Sequence, residues 1–168
     1  MADTKDSQDT LNKILALVHP QLYQDGLAAL EGLQAQATSK DIASQWSSVY
    51  SGISVIANRL TKAHCDNNAK PSWYDLLVAL GSYASTRLRL AELGLELEYT
   101  PGTVVPLCGN VFTHEVGDWG DGDRLCYAQF MREAVIDRFQ QGTSTWMTQG
   151  YYQEEVSDKL AESSGLKA

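Results

Sequence analysis

Apolar residues fall at helical spacing through the first part of the chain: Leu11, Ile14, Leu15 and Val18, then Leu27, Leu30 and Leu33. Pro20 interrupts the series, so the pattern predicts two helices, or one broken one, between residues 9 and 34. Ser39 is placed to cap a short helix reaching residue 46. The period then changes from that of a helix to that of strands. Residues 50–58 are rich in β-branched side chains, and further short strands are predicted at residues 74–80, 86–90, 95–99, 103–107, 111–114 and 124–131. Turn signals separate them, among them Asn67-Asn68 with Pro71, Gly81-Ser82, Gly94, Pro101-Gly102, Cys108-Gly109-Asn110 and the Gly/Asp run over residues 117–123. In the last strand the alternation puts Arg124, Cys126, Ala128 and Phe130 on one face and Leu125, Tyr127, Gln129 and Met131 on the other. About seven short strands punctuated in this way argue for a sandwich or barrel. A final helix is expected near residues 153–160. The organisation predicted is a disordered lead over residues 1–8, a single domain over residues 9–162 and a polar tail over residues 163–168.

A chain of 168 residues with 43% hydrophobic and 20% charged side chains has the composition of one globular domain with a proper core. Its apolar runs are too short to span a bilayer, and the acidic, polar N-terminus is neither a signal peptide nor a basic transit sequence. An intracellular location, nuclear or cytoplasmic, is expected. Cys65, Cys108 and Cys126 are an odd number without metal-binding spacing, which fits reduced thiols in such a compartment. No membrane contact and no obligate protein partner is indicated.

The net charge of −8 argues against wholesale nucleic-acid binding, but the charge is uneven. Residues 90–122 carry six acidic side chains and no Lys or Arg. Over residues 51–89 the balance reverses, with Arg59, Lys62, Lys70, Arg87 and Arg89 against Asp66 and Asp75. A locally basic segment in an acidic chain is able to meet a polyanion.

The basic segment surrounds the chemistry. His64-Cys65-Asp66 follows a predicted strand, and strand periodicity puts residues i and i+2 on one face, so His64 and Asp66 are able to point at one ion. His114, on a later strand, supplies a third ligand. Two imidazoles and one carboxylate on one side of an octahedron leave three positions open, which is the ligand set of non-haem Fe(II) oxygenases. Arg124 follows ten residues after His114, at the start of a strand. A buried arginine there would grip the distal carboxylate of 2-oxoglutarate through two charge-assisted hydrogen bonds; an ion pair with Asp121 or Asp123 is the plainer alternative. His19, followed by Pro20, reads as structural.

These motifs resemble the 2-oxoglutarate oxygenases, and specifically the fungal branch of the TET/JBP dioxygenases. The resemblance is carried by the run over residues 51–59, by His64-Cys65-Asp66-Asn67-Asn68, by Trp73-Tyr74-Asp75-Leu76-Leu77, by residues 99–105 and 109–114, and by Gly122-Asp123-Arg124 leading to Phe130-Met131-Arg132. It spans roughly residues 15–155. It implies an α+β fold: a double-stranded β-helix (jelly-roll) core with N-terminal supporting helices and a short C-terminal helix. It also implies an Fe(II)- and 2-oxoglutarate-dependent dioxygenase that oxidises the methyl group of 5-methylcytosine in DNA, with the base flipped out of the duplex. Methylated DNA is thus the partner implied. By the same resemblance Asn58 is a candidate contact to the co-substrate, Asn67 and Asn68 are candidates for the base edge, and Trp73 or Tyr74 for stacking. The chain departs from the fungal pattern at Cys65 and Thr113, where basic residues are common, and at Glu115, where glycine is common. Those departures bear on substrate rather than on metal. Methylated RNA, an N-methyl base or a small molecule as substrate remains open, as does an inactive jelly-roll binding module.

Overall fold

The computed structural model describes residues 2–36, 38–67, 69–139 and 144–154. Helices α1 (Ala2–Val18) and α2 (Pro20–Ala35) meet at His19 and Pro20, as the interrupted apolar series requires. Proline at the first position of α2 loses no hydrogen bond there, and the buried His19 accepts the Leu22 N–H on Nδ1 and donates from Nε2 to the Ser72 carbonyl. Helix α1 begins at Ala2, inside the stretch expected to be disordered. No glycine or proline precedes Pro20, so nothing in the local sequence stops the helix that Leu11 and Leu15 anchor. Helix α3 (Lys40–Ala43) is shorter than predicted; the Ser39 hydroxyl donates to the carbonyls of Leu33 and Gln36 instead of capping it.

Among the described residues eight strands follow: β1 (Gly52–Ala57), β2 (Thr61–His64), β3 (Asp75–Gly81), β4 (Arg87–Leu90), β5 (Leu95–Glu98), β6 (Val104–Leu107), β7 (His114–Val116) and β8 (Arg124–Phe130). They form two four-stranded antiparallel sheets, ordered β1-β8-β3-β6 and β2-β7-β4-β5. This is the sandwich form of the jelly-roll. Strand β2 was not predicted. Strand β7 starts at His114 instead of ending there, because residues 111–113 are held in a turn by N–H bonds from Val111 and Phe112 to the Cys108 carbonyl.

Strand β3 is buried on both faces, and its alternation divides the core. Leu76 and Val78 join Leu11, Leu15, Leu22 and Met131 in a layer between the helices and the outer face of the first sheet. Leu77 and Ala79 join Leu88, Leu90, Tyr99, Val116 and Cys126 between the two sheets. Helix α4 (Glu133–Arg138), absent from the sequence expectations, closes the first layer through Ile136. Helix α5 (Gln149–Tyr152) starts earlier than the predicted C-terminal helix, most of which lies outside the described residues, as does the tail from residue 163. No helix among the described residues is long and apolar enough to cross a membrane.

Candidate metal centre and its cavity

His64 and His114 are directly opposite each other across the β2–β7 pair, with ring centroids 4.3 Å apart. Partners in an antiparallel pair share a face, so the register alone sends both imidazoles to the same side. Between Thr61↔Val116 and His64↔His114, two residues of β2, Lys62 and Ala63, oppose the one residue Glu115 of β7. This bulge resets the alternation, and Thr61 and His64 both face the space between the sheets. The chain leaves β2 at His64, and two residues later Asp66 returns to the same side. Cys65 points away, its thiol 3.4 Å from the Thr113 hydroxyl.

Each imidazole is oriented by a backbone carbonyl two residues before it: His64 Nδ1 lies 2.8 Å from the Lys62 carbonyl and His114 Nδ1 lies 3.0 Å from that of Phe112. A carbonyl only accepts, so each Nδ1 carries the hydrogen and each Nε2 keeps its lone pair. Those lone pairs face Asp66, at 3.5 Å from Oδ1 for His64 and 3.7 Å from Oδ2 for His114. The three donor atoms lie within 4.8 Å of one another. Three acceptors converging without a hydrogen among them fit a divalent cation, and two nitrogens with one carboxylate suit Fe(II).

Asp66 is itself held from both sides. Its N–H donates to the Gly109 carbonyl at 2.8 Å, and its own carbonyl accepts from Asn110 Nδ2 at 2.9 Å. In the sequence, residues 108–110 carry only a turn signal. Their part in the site follows from a contact spanning more than forty residues, which no local signal announces.

The triad opens into a cavity of about 460 Å³ between the sheets, within the usual size range for small-molecule sites. Arg124, Cys126, Ala128 and Phe130 all line it, the alternation predicted for β8. Arg124 is 1% exposed. It donates from Nη1 to the Arg59 carbonyl at 3.0 Å, its guanidinium sits 5.9 Å from the rings of both Tyr99 and Trp119, and Nε has no partner. It forms no ion pair among the described residues, so the alternative of a surface pair with Asp121 or Asp123 is not realised. A buried guanidinium lacking an anion fits a ligand carboxylate, as 2-oxoglutarate would supply.

Asn58 does not line the cavity. Its φ is +47°, its N–H donates to the Arg124 carbonyl, its Oδ1 accepts the Arg124 N–H at 2.8 Å, and its Nδ2 donates to Asp123 Oδ1 at 2.9 Å. Both ends of the amide are thereby occupied in holding the start of β8, which positions Arg124. Trp73 and Tyr74 do not line the cavity either. Trp73 is 1% exposed in the helix-side core and donates from Nε1 to Ser144 Oγ; Tyr74 packs edge-on against His19. Asn67 does line the cavity, and Asn68 lies outside the described residues. Thr113 and Glu115 are engaged outside it, with Glu92 and Arg89 respectively.

Of the basic segment, Lys70 is bound to Glu133 and Asp137 at 3.3 and 3.6 Å and lies 4.8 Å from the Trp73 ring centroid, tying the loop after the triad to α4. Arg59 and Lys62 are exposed and form no ion pair among the described residues. Arg59 and Arg132, the latter stacked on Phe130 at 4.7 Å, line the exposed end of the cavity beside Val55.

Residues 2–133 match the Tet_JBP family model, described as the oxygenase domain of the 2OGFeDO superfamily. The match is to the family as a whole and singles out no branch. No curated protein sequence matches the chain. The solved structure of NgTET1 in complex with 5mC DNA superposes with a TM-score of 0.59 and 18% identity, covering 95% of this chain and 56% of that one. This chain therefore spans little more than half the length of the NgTET1 chain, and the likeness is one of fold. A cupin 2 conserved barrel domain protein from Salinispora arenicola CNS-205 aligns over 52% of this chain and 67% of its own, with 21% identity and a TM-score of 0.38.

Proposed function

The chain belongs to the TET/JBP oxygenases of the 2-oxoglutarate/Fe(II) superfamily, and on that premise we propose that it oxidises the methyl group of 5-methylcytosine in DNA. The observation that carries the reading is that the triad and Arg124 share one cavity, which Arg59 and Arg132 also line. NgTET1, whose fold this chain shares, was solved with 5mC DNA, which supports the same class of substrate here.

With iron and 2-oxoglutarate bound, the site would use O₂ as the oxidant: one oxygen atom would turn a substrate C–H into C–OH, and the other would go to 2-oxoglutarate, which supplies the remaining two electrons and leaves as succinate and CO₂. His64, Asp66 and His114 would hold the metal through one face and leave the rest of its coordination sphere open toward the cavity. Arg124 would anchor the co-substrate's distal carboxylate, and Tyr99 and Trp119 limit where its guanidinium sits. Leu77, Val116 and Cys126 wall the cavity with apolar or weakly polar surface, which keeps bulk water from the reacting methyl. A base inside a duplex cannot reach such a recess, so the substrate nucleotide must be flipped, with Asn67 available to its polar edge and Arg59 and Arg132 to the flanking phosphates. This reading takes residues 9–162 as one oxygenase domain, acting inside the cell, where its three free thiols stay reduced.

A second reading keeps the chemistry and changes the substrate to methylated RNA, an N-methyl base or a small molecule. The net charge of −8 favours it, as does the loss of Lys70 to a structural ion pair. The test is mass spectrometry of nucleosides from methylated duplex DNA incubated with the protein, Fe(II), 2-oxoglutarate and ascorbate, beside methylated RNA and free nucleosides. Hydroxymethylcytosine from the duplex is the expected product. Turnover of RNA or free nucleosides with none of the duplex would overturn the first reading in favour of the second.

A further inference from the structure

The β2–β7 register runs through His64↔His114, so the next residues to face each other are Cys65 and Thr113. Their side chains continue the pairing on the side away from the triad's cavity, with the Cys65 thiol 3.4 Å from the Thr113 hydroxyl. A third residue reaches this pair from elsewhere in the chain. Ala91–Leu93 form a 3₁₀ turn between β4 and β5. The Ala91 N–H donates to the Thr113 carbonyl at 3.0 Å, one step beyond the Leu90↔His114 pair of β4 and β7. Glu92 then closes on Thr113 with both carboxylate oxygens. Oε2 accepts the backbone N–H at 2.8 Å, and Oε1 accepts the hydroxyl hydrogen at 2.5 Å.

A carboxylate only accepts, and the bond from the Thr113 hydroxyl holds the Glu92 carboxyl below the usual glutamate range. The one hydrogen of the Thr113 hydroxyl is thereby given to Glu92, so its oxygen accepts from the Cys65 thiol. The result is a directed chain from Cys65 through Thr113 to Glu92, in which each bond polarises the next. Cys65 stands between the ligands His64 and Asp66, and Thr113 directly precedes the ligand His114. This chain of bonds therefore ties together the two segments that carry the whole metal set. Burial shows why a tie matters there. The His114 side chain is 5% exposed and held by packing, whereas those of His64 and Asp66 are 43% and 42% exposed. They lie at the end of an edge strand interrupted by a bulge, where hydrogen bonds have to do what packing does for His114.

We propose that Glu92 is a positioning residue for the metal set: acting through Thr113 and Cys65, it fixes His64 and Asp66 relative to His114 and so raises the affinity for Fe(II). The inference concerns the triad alone and is independent of which substrate the oxygenase takes.

Anaerobic Fe(II) titration of the full chain tests it, with urea unfolding of the metal-free protein in parallel. Glu92→Ala is expected to weaken Fe(II) binding about tenfold, the lower end of the effect of removing a ligand's support. The metal-free variant should unfold as the parent does, because Glu92 is exposed. Thr113→Val keeps the shape, removes the hydroxyl and should weaken binding to a similar extent. The double variant should stay within about threefold of the weaker single one, since both changes break one chain; independent effects would multiply to roughly a hundredfold. Glu92→Gln removes the charge, keeps an acceptor and should recover part of the loss. A glutamine variant as weak as the alanine one would assign the effect to charge alone and overturn the positioning role. Parent-like Fe(II) affinity in Glu92→Ala, with or without lower stability, would overturn it too, as would a double variant weakened by the product of the single effects. A parent that binds no Fe(II) would overturn the metal assignment and the proposal with it.

Discussion

Asp66 and Gly109 are fitted to each other: the Asp66 N–H donates to the Gly109 carbonyl at 2.8 Å, while a Cβ at 109 would lie 2.5 Å from Asp66 Oδ2. Real Cβ atoms essentially never approach so closely, and the atom in the way is a metal-binding oxygen. Gly109→Ala is therefore expected to displace the carboxylate and lower Fe(II) affinity by about 10–100-fold, the usual effect of disturbing a ligand's support. Anaerobic Fe(II) titration beside His114→Ala, which should abolish turnover, checks it. Parent-like affinity in Gly109→Ala would mean that Asp66 has room to move, and that the glycine serves only the turn.

Arg124 is expected to separate co-substrate binding from metal binding. Arg124→Ala leaves a dicarboxylate without its countercharge in a buried pocket, a loss on the order of 2–5 kcal/mol, or roughly thirty- to several-thousand-fold in 2-oxoglutarate affinity. Arg124→Lys should recover part of this, restoring charge without the planar fork. Iron content should not change in either variant. Unaltered 2-oxoglutarate affinity in the alanine variant would move the anchor elsewhere, with Arg132 the next candidate in the cavity.

The cations of the basic segment divide into two kinds. Neutralising Arg59 and Lys62 should weaken duplex binding and reduce the slope of log affinity against log salt by about one per cation that meets a phosphate. Replacing Lys70 by Met should leave that slope alone and lower stability, since Lys70 joins Glu133, Asp137 and Trp73. Anisotropy titrations over a range of salt concentrations and thermal melts distinguish the two. Equal slopes for the parent and the Arg59/Lys62 variant would remove the electrostatic support for a DNA substrate.

Asp75 makes the metal-stripped protein sensitive to pH in an unusual direction. Its carboxyl titrates near 3.8 when unfolded and is pushed up to about 7 when folded, by burial first and by Asp66 second. Between these values the folded state holds the extra proton, so stability falls as pH rises from about 4 to about 7. The full effect is of order 4 kcal/mol, and it is present below the lower value and gone above the upper one. Asp75→Asn should flatten the profile over that window, as measured by urea unfolding in the presence of a chelator. A variant whose stability declines with pH as the parent's does would show that Asp75 is not the titrating group.

Much of this arrangement was legible in the residues themselves. Histidine is rare in this chain, with three, and His64, Asp66, His114 and Arg124 stand in a telling order, while the alternation over residues 124–130 names the cavity-facing set. Strand positions followed from period and turn residues, because local sterics and backbone hydrogen bonding set both. The helix-to-strand change near residue 50 followed for the same reason.

Periodicity tells which residues share a face, but not what covers that face. Trp73 and Tyr74 carry the same sequence signal whether they stack on a ligand or fill a core; the packing of α1 and α2 on the outer face of the first sheet made them core. Asn58 was a candidate for the co-substrate until the β1–β8 register brought its amide to the Arg124 backbone. The bulge that turns His64 inward, the fit of Gly109 to Asp66 and the unpaired Oδ1 of the buried Asp75 all depend on chain segments that meet only when the two sheets close. The sequence by itself determined the ligand chemistry and the strand alternation, since both reside in residue type and local geometry. The tertiary structure alone decided which polar groups were left unpaired in the cavity, because pairing is a property of the neighbours that folding brings together.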